Sequence, residues 1–229
     1  MDVFSARETR EAEAMRKAEA DMKLDAEARL RQIERAKDAP GQLDAQADHT
    51  SKTLGHPEKS AQHWRLQEGP NDCALYAQGG ILDRFGVPFD INTYRAEAQQ
   101  AGYYTPDTGT TPDGVGDLLE RHGVAVKRYD GATMQDLANE VQQGHGVVAM
   151  VECTPLWGLD GLDKGHALWV TGVNVNNTNG RVESVVCNDS GLPNGKAITY
   201  PADAFAEAWK HIDYRMVCTE KPMPGAGGA

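Results

Sequence analysis

Apolar residues are spaced in different ways along this chain, and each spacing predicts a different kind of element. From Ser5 to about Lys37, Met15, Ala18, Met22, Ala26, Leu30 and Ile33 follow one helical stripe in a background of Ala, Glu, Arg and Lys without Gly or Pro. That composition favours helix, but an alanine-rich stripe buries little area, so residues 1–38 are expected to form an N-terminal helix that is solvated or leans on a partner. Residues 39–60 turn polar, with Pro40, Gly41, Gly55 and Pro57 as breakers, and read as a linker.

A compact domain is expected over residues 61–220. Ala74, Ala77, Ile81 and Phe85 share one helical face, Gly86 stops the helix, and Asn71 and Asp72 are N-cap types, which makes Cys73 the first helical residue. A second helix spans about Asn92 to Gln100, followed by a loop, GYYTPDTGTTPDG. Thr111, Pro112 and Asp113 read as the start of a helix carrying Val115, Leu118 and Leu119 to Gly123. VAVKRY (124–129) alternates like a strand, Thr133 and Asp136 form a capping box for a helix through Val141, and GVVAMVE (146–152) reads as a buried strand. Next, 166–175 and 181–189 flank the turn NNTNG, in which Asn-Gly signals a hairpin. A strand (196–200), a helix (201–209) and a closing strand (214–220) follow, and residues 221–229 are expected to be a disordered tail. Helices come first and strands last, an α+β order.

Charge and cysteine content narrow the function. The 229 residues carry a formal net charge of −11, which argues against nucleic acid and anionic membrane as partners, because phosphate binding needs a basic face. Cys73, Cys153, Cys187 and Cys218 show none of the close pairing of zinc or redox motifs and read as reduced thiols. With no apolar run after Met1 and no 18 consecutive apolar residues, the expectation is a soluble chain without signal peptide, cytoplasmic or exported by a non-Sec route.

The candidate chemistry starts at Cys73. At a helix N-terminus the unpaired N–H groups and the helix dipole favour the thiolate, although a lone cysteine is more often a buried structural residue. Gln67, six residues upstream, and the Cys73 N–H are candidates for the two donors of an oxyanion hole. A thiol nucleophile needs a base, and the base needs an orienting group. His166 opens one hairpin strand and Asp189 closes the other, so a two-residue turn at Asn177 and Thr178 sets them opposite each other on one face. Asn188 is the reserve orienter, and His145 competes as base but has no acid across a hairpin. The loop 153–165 reads either as a lid containing Trp157 or as a connector with Trp157 in the core.

Gln67, Cys73, His166 and Asp189, in that order, with a helical half before an antiparallel half, resemble a papain-like cysteine peptidase. The closest resemblance is to the peptidases that remove double-glycine leaders from bacteriocin precursors and their stand-alone bacterial relatives. It rests on Q-x5-C opening a helix, on GHALWVTGV, and on NDSG, and covers about Ala61 to Glu220. Ala74 stands where that family usually has Gly, and Ser190 where it usually has Pro.

The resemblance implies a two-lobe fold with the site in the cleft and no metal or cofactor. Its implied partners are a protein or peptide substrate cut after Gly-Gly and, in the setting of a bacterial effector toxin, a cognate inhibitor protein. Trp157, Tyr103 and Tyr104 are the expected walls of a narrow cleft. A deamidase or transglutaminase uses the same triad, and a binding module that keeps the cleft without turnover is the alternative of another class.

Overall fold

The computed structural model describes residues 51–157 and 165–226; the N-terminal helix expected over residues 1–38 lies outside them. The described chain runs from an edge strand β1 (Ser51–Gly55) and a short helix α1 (Pro57–Ala61) into helices α2 (Cys73–Arg84) and α3 (Ile91–Ala101). A small hairpin follows, β2 (Tyr104–Thr105) and β3 (Gly109–Thr110), then a 3-10 turn (Pro112–Gly114) and α4 (Asp117–Arg121). The second half holds β4 (Val126–Tyr129), α5 (Met134–Gln142), β5 (His145–Glu152), α6 (Thr154–Trp157) and β6 (Gly165–Asn176). It closes with β7 (Val182–Asn188), β8 (Ile198–Pro201), α7 (Ala202–Lys210) and β9 (Met216–Pro222).

Six strands form one antiparallel sheet in the order β4-β9-β5-β6-β7-β8, with β1 attached to β6. The strand β6 is long enough to serve two partners along one edge, pairing β5 with its first half and β1 with its second. Val148, Met150, Ala167, Trp169 and Val217 share a core with residues of α2, α3 and α4. Their alternating neighbours Val147, Ala149, Leu168 and Val170 are also buried. Burial on both faces is why β5 reads as an unbroken apolar run rather than an alternating one. The sequence capping box at Thr133 and Asp136 is present, with each side chain bonding the other's backbone N–H.

Three sequence expectations change. Residues 51–60, expected as linker, belong to the domain: β1 pairs with Asn176 through Gly172, and buried Ser60 accepts from Arg84 Nη1 (3.1 Å) and, at its carbonyl, from Asn188 Nδ2 (2.9 Å). An edge strand needs only its backbone bonds, so its exposed side chains carry no apolar pattern. The expected disordered tail is docked as far as Ala226, with Met223 and Ala226 buried, the Met223 N–H donating to the Gly144 carbonyl (2.8 Å) and Arg84 Nη2 to that of Pro224 (2.8 Å). The helix expected from Pro112 is split, because Gly116 takes φ +106° and donates its N–H to the buried Gln78 Oε1 (2.9 Å).

Candidate active site

Helix α2 begins at Cys73, and Asp72 sits at its N-cap without capping it through the side chain. The buried Asp72 carboxylate turns back instead, accepting from the Gly69 N–H (2.8 Å), from Arg95 and from the Tyr104 hydroxyl (2.6 Å). These contacts tie the loop before Cys73 to α3 and to the β2–β3 hairpin. Asn71 strengthens the tie, its Nδ2 donating to the carbonyls of Pro106 (2.8 Å) and Asp107 (2.9 Å). Gly109, at φ +78°, lies so close that a Cβ there would stand 2.9 Å from the Asn71 carbonyl oxygen. Cys73 is therefore presented from a loop that is braced on two sides.

His166, the second residue of β6, reaches both the thiol and the acid. Its ring hydrogen-bonds Cys73, and its Nε2 lies 2.8 Å from Asp189 Oδ1. With Nε2 assigned to Asp189, Nδ1 is the nitrogen left for Cys73. Asp189 is fully buried and accepts three further bonds: from the Gly191 N–H to Oδ1 (2.8 Å), and to Oδ2 from Trp157 Nε1 (3.0 Å) and the Tyr200 hydroxyl (2.6 Å). Its backbone is held as well, the N–H donating to the Gly195 carbonyl and the carbonyl accepting from Trp64 Nε1, each at 2.8 Å. Only glycine fits at 195, where a Cβ would come within 1.9 Å of the Asp189 carbonyl oxygen.

The electrostatics follow from this arrangement. Burial alone pushes the Cys73 thiol up, but the His166 charge, its hydrogen bond and the N–H groups of Ala167 and Ala74 outweigh it, so the thiol sits below its ordinary 9.0. Burial likewise disfavours the His166 cation, yet the charges of Asp189 and Cys73 and the bonds to both raise it to about 10. Asp189, although burial raises it, is held below the ordinary carboxylate value by His166, Tyr200 and Gly191. Both shifts favour a thiolate facing an imidazolium, the reactive form of a cysteine nucleophile.

His166 and Asp189 meet through a different register from the one expected. The hairpin turn has four residues between Asn176 and Arg181, not two, and two bulges offset each other along the ladder. Trp169 pairs with Asn188, so the continued register sets Asp189 opposite Leu168, two residues from His166. A shift of two preserves the face, and diagonal neighbours remain within reach of long side chains. Asn188, the reserve orienter, is committed elsewhere: its Nδ2 goes to Ser60 and its Oδ1 accepts the Ala197 N–H (3.1 Å).

A cavity of about 370 Å³ opens beside Cys73 and His166. The β2–β3 hairpin supplies Thr108, Gly109 and Thr110 to its lining, and β5 and β6 supply Met150, Val151 and Ala167. None of the three aromatic residues expected as walls lines it. Trp157 is buried in α6 with its ring 4.8 Å from that of His166, Tyr104 is buried on Asp72, and Tyr103 is buried with no hydrogen-bond partner for its hydroxyl among the described residues. Trp157 thus lies neither in a lid nor in a plain core, but behind the His166–Asp189 pair.

Gln67 does not line the cavity either. Its Nε2 donates to the Gly69 carbonyl (2.8 Å) and its Oε1 accepts from Ser190 Oγ (2.9 Å), while its N–H donates to the Ser190 carbonyl (2.9 Å). Ser190, the departure from proline, leaves Asp189 in place and anchors Gln67. Tyr200 carries no motif, and its bond to Asp189, like that of Ser190 to Gln67, arises only where separate segments meet. None of the four cysteines is in a disulfide, and Cys153, Cys187 and Cys218 are buried.

A helical half that presents a cysteine to a histidine–aspartate pair on an antiparallel sheet is the papain-like α+β fold. The chain belongs to the Peptidase_C39 like family, whose model matches residues 91–217; this stretch contains His166 and Asp189 and begins after the Cys73 helix. It is 26% identical over 202 residues to uncharacterized proteins of Mycobacterium bovis and Mycobacterium tuberculosis, covering 73% of this chain and 84% of theirs. Among solved structures, a putative C39-like peptidase from Bacillus anthracis superposes with a TM-score of 0.53 at 13% identity, covering 75% of this chain and 99% of that one. The peptidase domain of Streptococcus ComA, a bifunctional ABC transporter, aligns with a TM-score of 0.49 at 16% identity, covering 69% of this chain and 97% of that one. Among the described residues no helix is long and apolar enough to cross a membrane.

Proposed function

We propose that the chain is a cysteine peptidase whose nucleophile, base and orienting acid are Cys73, His166 and Asp189. The observation that carries this reading is the continuous contact from thiol to imidazole to fully buried carboxylate at the edge of a cavity. In the reaction the Cys73 thiolate attacks the peptide carbonyl carbon, forming the C–S bond and moving the carbonyl electron pair onto oxygen. The Cys73 N–H receives this oxyanion, with the second amide hydrogen of Gln67, beyond the one given to the Gly69 carbonyl, as the candidate for the other donor. The His166 proton goes to the departing amine as the C–N bond breaks. Neutral His166 then takes a proton from water, which attacks the thioester and frees the acid, returning the thiol proton to the Cys73–His166 pair.

Cleavage after Gly-Gly is the preference that the family likeness suggests. Trp157, Tyr103 and Tyr104 lie outside the cavity lining and so supply no aromatic walls to select glycine, and the activity extends to peptide bonds generally. Incubation with a bacterial lysate, followed by sequencing of new N-termini against a Cys73→Ala control, tests it. New termini confined to the wild type are expected. Ammonia release without new termini would mark a deamidase, and neither product would mark a binding module.

A further inference from the structure

Asp72 stands immediately before the nucleophile, at the position where an acid ordinarily caps its own helix. Its side chain makes no such bond, and the N–H of Ala74, in the first turn of α2, goes to the Cys73 sulfur instead. The hydrogen bonds that the buried carboxylate accepts, among the described residues, come from outside the helix: the Gly69 N–H and Arg95 at Oδ2, and the Tyr104 hydroxyl at Oδ1. Burial alone would raise this acid, but the bonds from Arg95, Tyr104 and Gly69 outweigh it and keep the group below its ordinary value. Asp72 is thus a charged anchor, and what it anchors is the turn that carries Gln67. The Gly69 N–H donates to Asp72 Oδ2 (2.8 Å), and the Gly69 carbonyl accepts both the Asp72 N–H (3.4 Å) and Gln67 Nε2 (2.8 Å). A carbonyl oxygen only accepts, so this contact fixes which end of the Gln67 amide is nitrogen. The turn is built directly against the carboxylate, since a Cβ at Gly69 would lie 2.5 Å from Asp72 Oδ2. In this way Arg95 of α3 and Tyr104 of β2 bear on Gln67 through Asp72 and Gly69.

We propose that Asp72 is a positioning residue for the oxyanion site, its carboxylate fixing the Gly69 turn so that the second amide hydrogen of Gln67 and the N–H of Cys73 are held at one spacing. The inference rests on the reading of Gln67 as an oxyanion donor. Without the carboxylate the Gly69 N–H loses its acceptor, the turn loosens, and the Gln67 amide is no longer held by a fixed carbonyl. A donor displaced by about 1 Å forfeits much of its effect on the transition state, although the thiol and its base stay where they are.

A double-mutant cycle on acylation tests this role. p-Nitrophenyl acetate acylates Cys73 through an oxyanion and reports the step as a burst of nitrophenolate, whereas iodoacetamide alkylates the same sulfur without one. Asp72→Ala is expected to lower the burst rate constant about tenfold or more, a large part of what one oxyanion donor supplies, but by no more than about twofold in a Gln67→Ala background. Iodoacetamide labelling should not slow. Asp72→Asn, whose amide oxygen can keep the Gly69 bond and whose NH2 can meet the Tyr104 hydroxyl, is expected to recover most of the loss. Should Asp72→Ala fail to fold, Gly69→Ala, which displaces the carboxylate with its charge intact, is expected to show the same coupling to Gln67. Equal losses with and without Gln67, or labelling slowed as much as acylation, overturn the positioning role. A coupled cycle in a wild type that cuts no peptide supports that role and sinks the peptidase reading, and absence of a burst from the wild type overturns the oxyanion site itself.

Discussion

Two buried histidine–carboxylate pairs lie in this domain, and they do different work. His166 bonds Asp189, and His145, at the start of β5, bonds Glu140 of α5. Both histidines are almost fully buried, as are both acids. The difference lies in what faces each pair. Beyond His166 stand the Cys73 thiol and the cavity; around Glu140 stand Lys127 Nζ, at 2.7 and 2.9 Å, and the Tyr129 hydroxyl at 2.8 Å. Glu140, which burial alone would raise, is held below its ordinary value by Lys127, His145 and Tyr129, as befits a carboxylate saturated by donors. His145 has no acid across a hairpin, as expected, but it does have one from the preceding helix, Glu140. A histidine oriented by an acid is not a reactive site by itself. It becomes one when the other ring nitrogen meets a nucleophile at a solvent-reached cavity.

The largest contrast is expected from removing each histidine. His166→Ala and Cys73→Ala should each lower peptide cleavage about a thousandfold or more, whereas His145→Ala should leave kcat/KM close to wild type. Loss of cleavage in His145→Ala with the fold intact by circular dichroism would erase the distinction. Asp189→Ala comes next, with a loss on the order of a hundredfold in kcat, because Asn188 is bonded to Ser60 and Ala197 and cannot take over. An effect below about threefold would show that His166 holds its orientation without Asp189.

On the other pair the cost should appear in stability. Glu140→Gln weakens contacts with Lys127 and His145 and is expected to cost about 1–3 kcal/mol in urea unfolding without a change in turnover. The pH profile then separates the two sites again. Thiolate supply falls as pH drops through the lowered Cys73 value, about tenfold per unit below it, and cleavage also falls as pH rises through about 10, where His166 loses the proton needed by the leaving amine. Iodoacetamide labelling should show the acid limb, and peptide cleavage both; labelling that follows an ordinary thiol near 9.0 would remove the ion pair. The smallest effect is expected from Tyr200→Phe, which takes one of four donors from the Asp189 carboxylate and should lower kcat about threefold to tenfold, with KM unchanged.

What was legible along the chain follows the range of each interaction. Helix α2 with Cys73 as its first residue, the Thr133 capping box, the apolar strand β5 and the β6–β7 hairpin all depend on groups a few residues apart, and each appears close to its expected bounds. The pairing of His166 with Asp189 was legible for a more particular reason: the turn was two residues longer than expected, and an even shift leaves both side chains on one face. Strand β1 was illegible because it is held mainly by backbone bonds to β6 and the side chains of Ser51, Lys52 and Thr53 are exposed. Tyr103 and Tyr104 looked like cleft walls because an aromatic pair in a polar loop gives no sign of which way it turns; the Asp72–Arg95 contact turns Tyr104 inward.

The sequence by itself determined the candidate thiol, the candidate histidine and acid, and the α+β order of the elements, since residue type, helix start and strand alternation are local or nearly local properties. Only the tertiary structure decided which histidine–acid pair meets the thiol and which meets Lys127. It also decided what the cavity is lined with, and how the segments around Ser60 and Ala226 close the domain through Arg84 and Asn188. Those outcomes depend on side chains brought together from tens to more than a hundred residues apart, and neither spacing nor composition records such a distance.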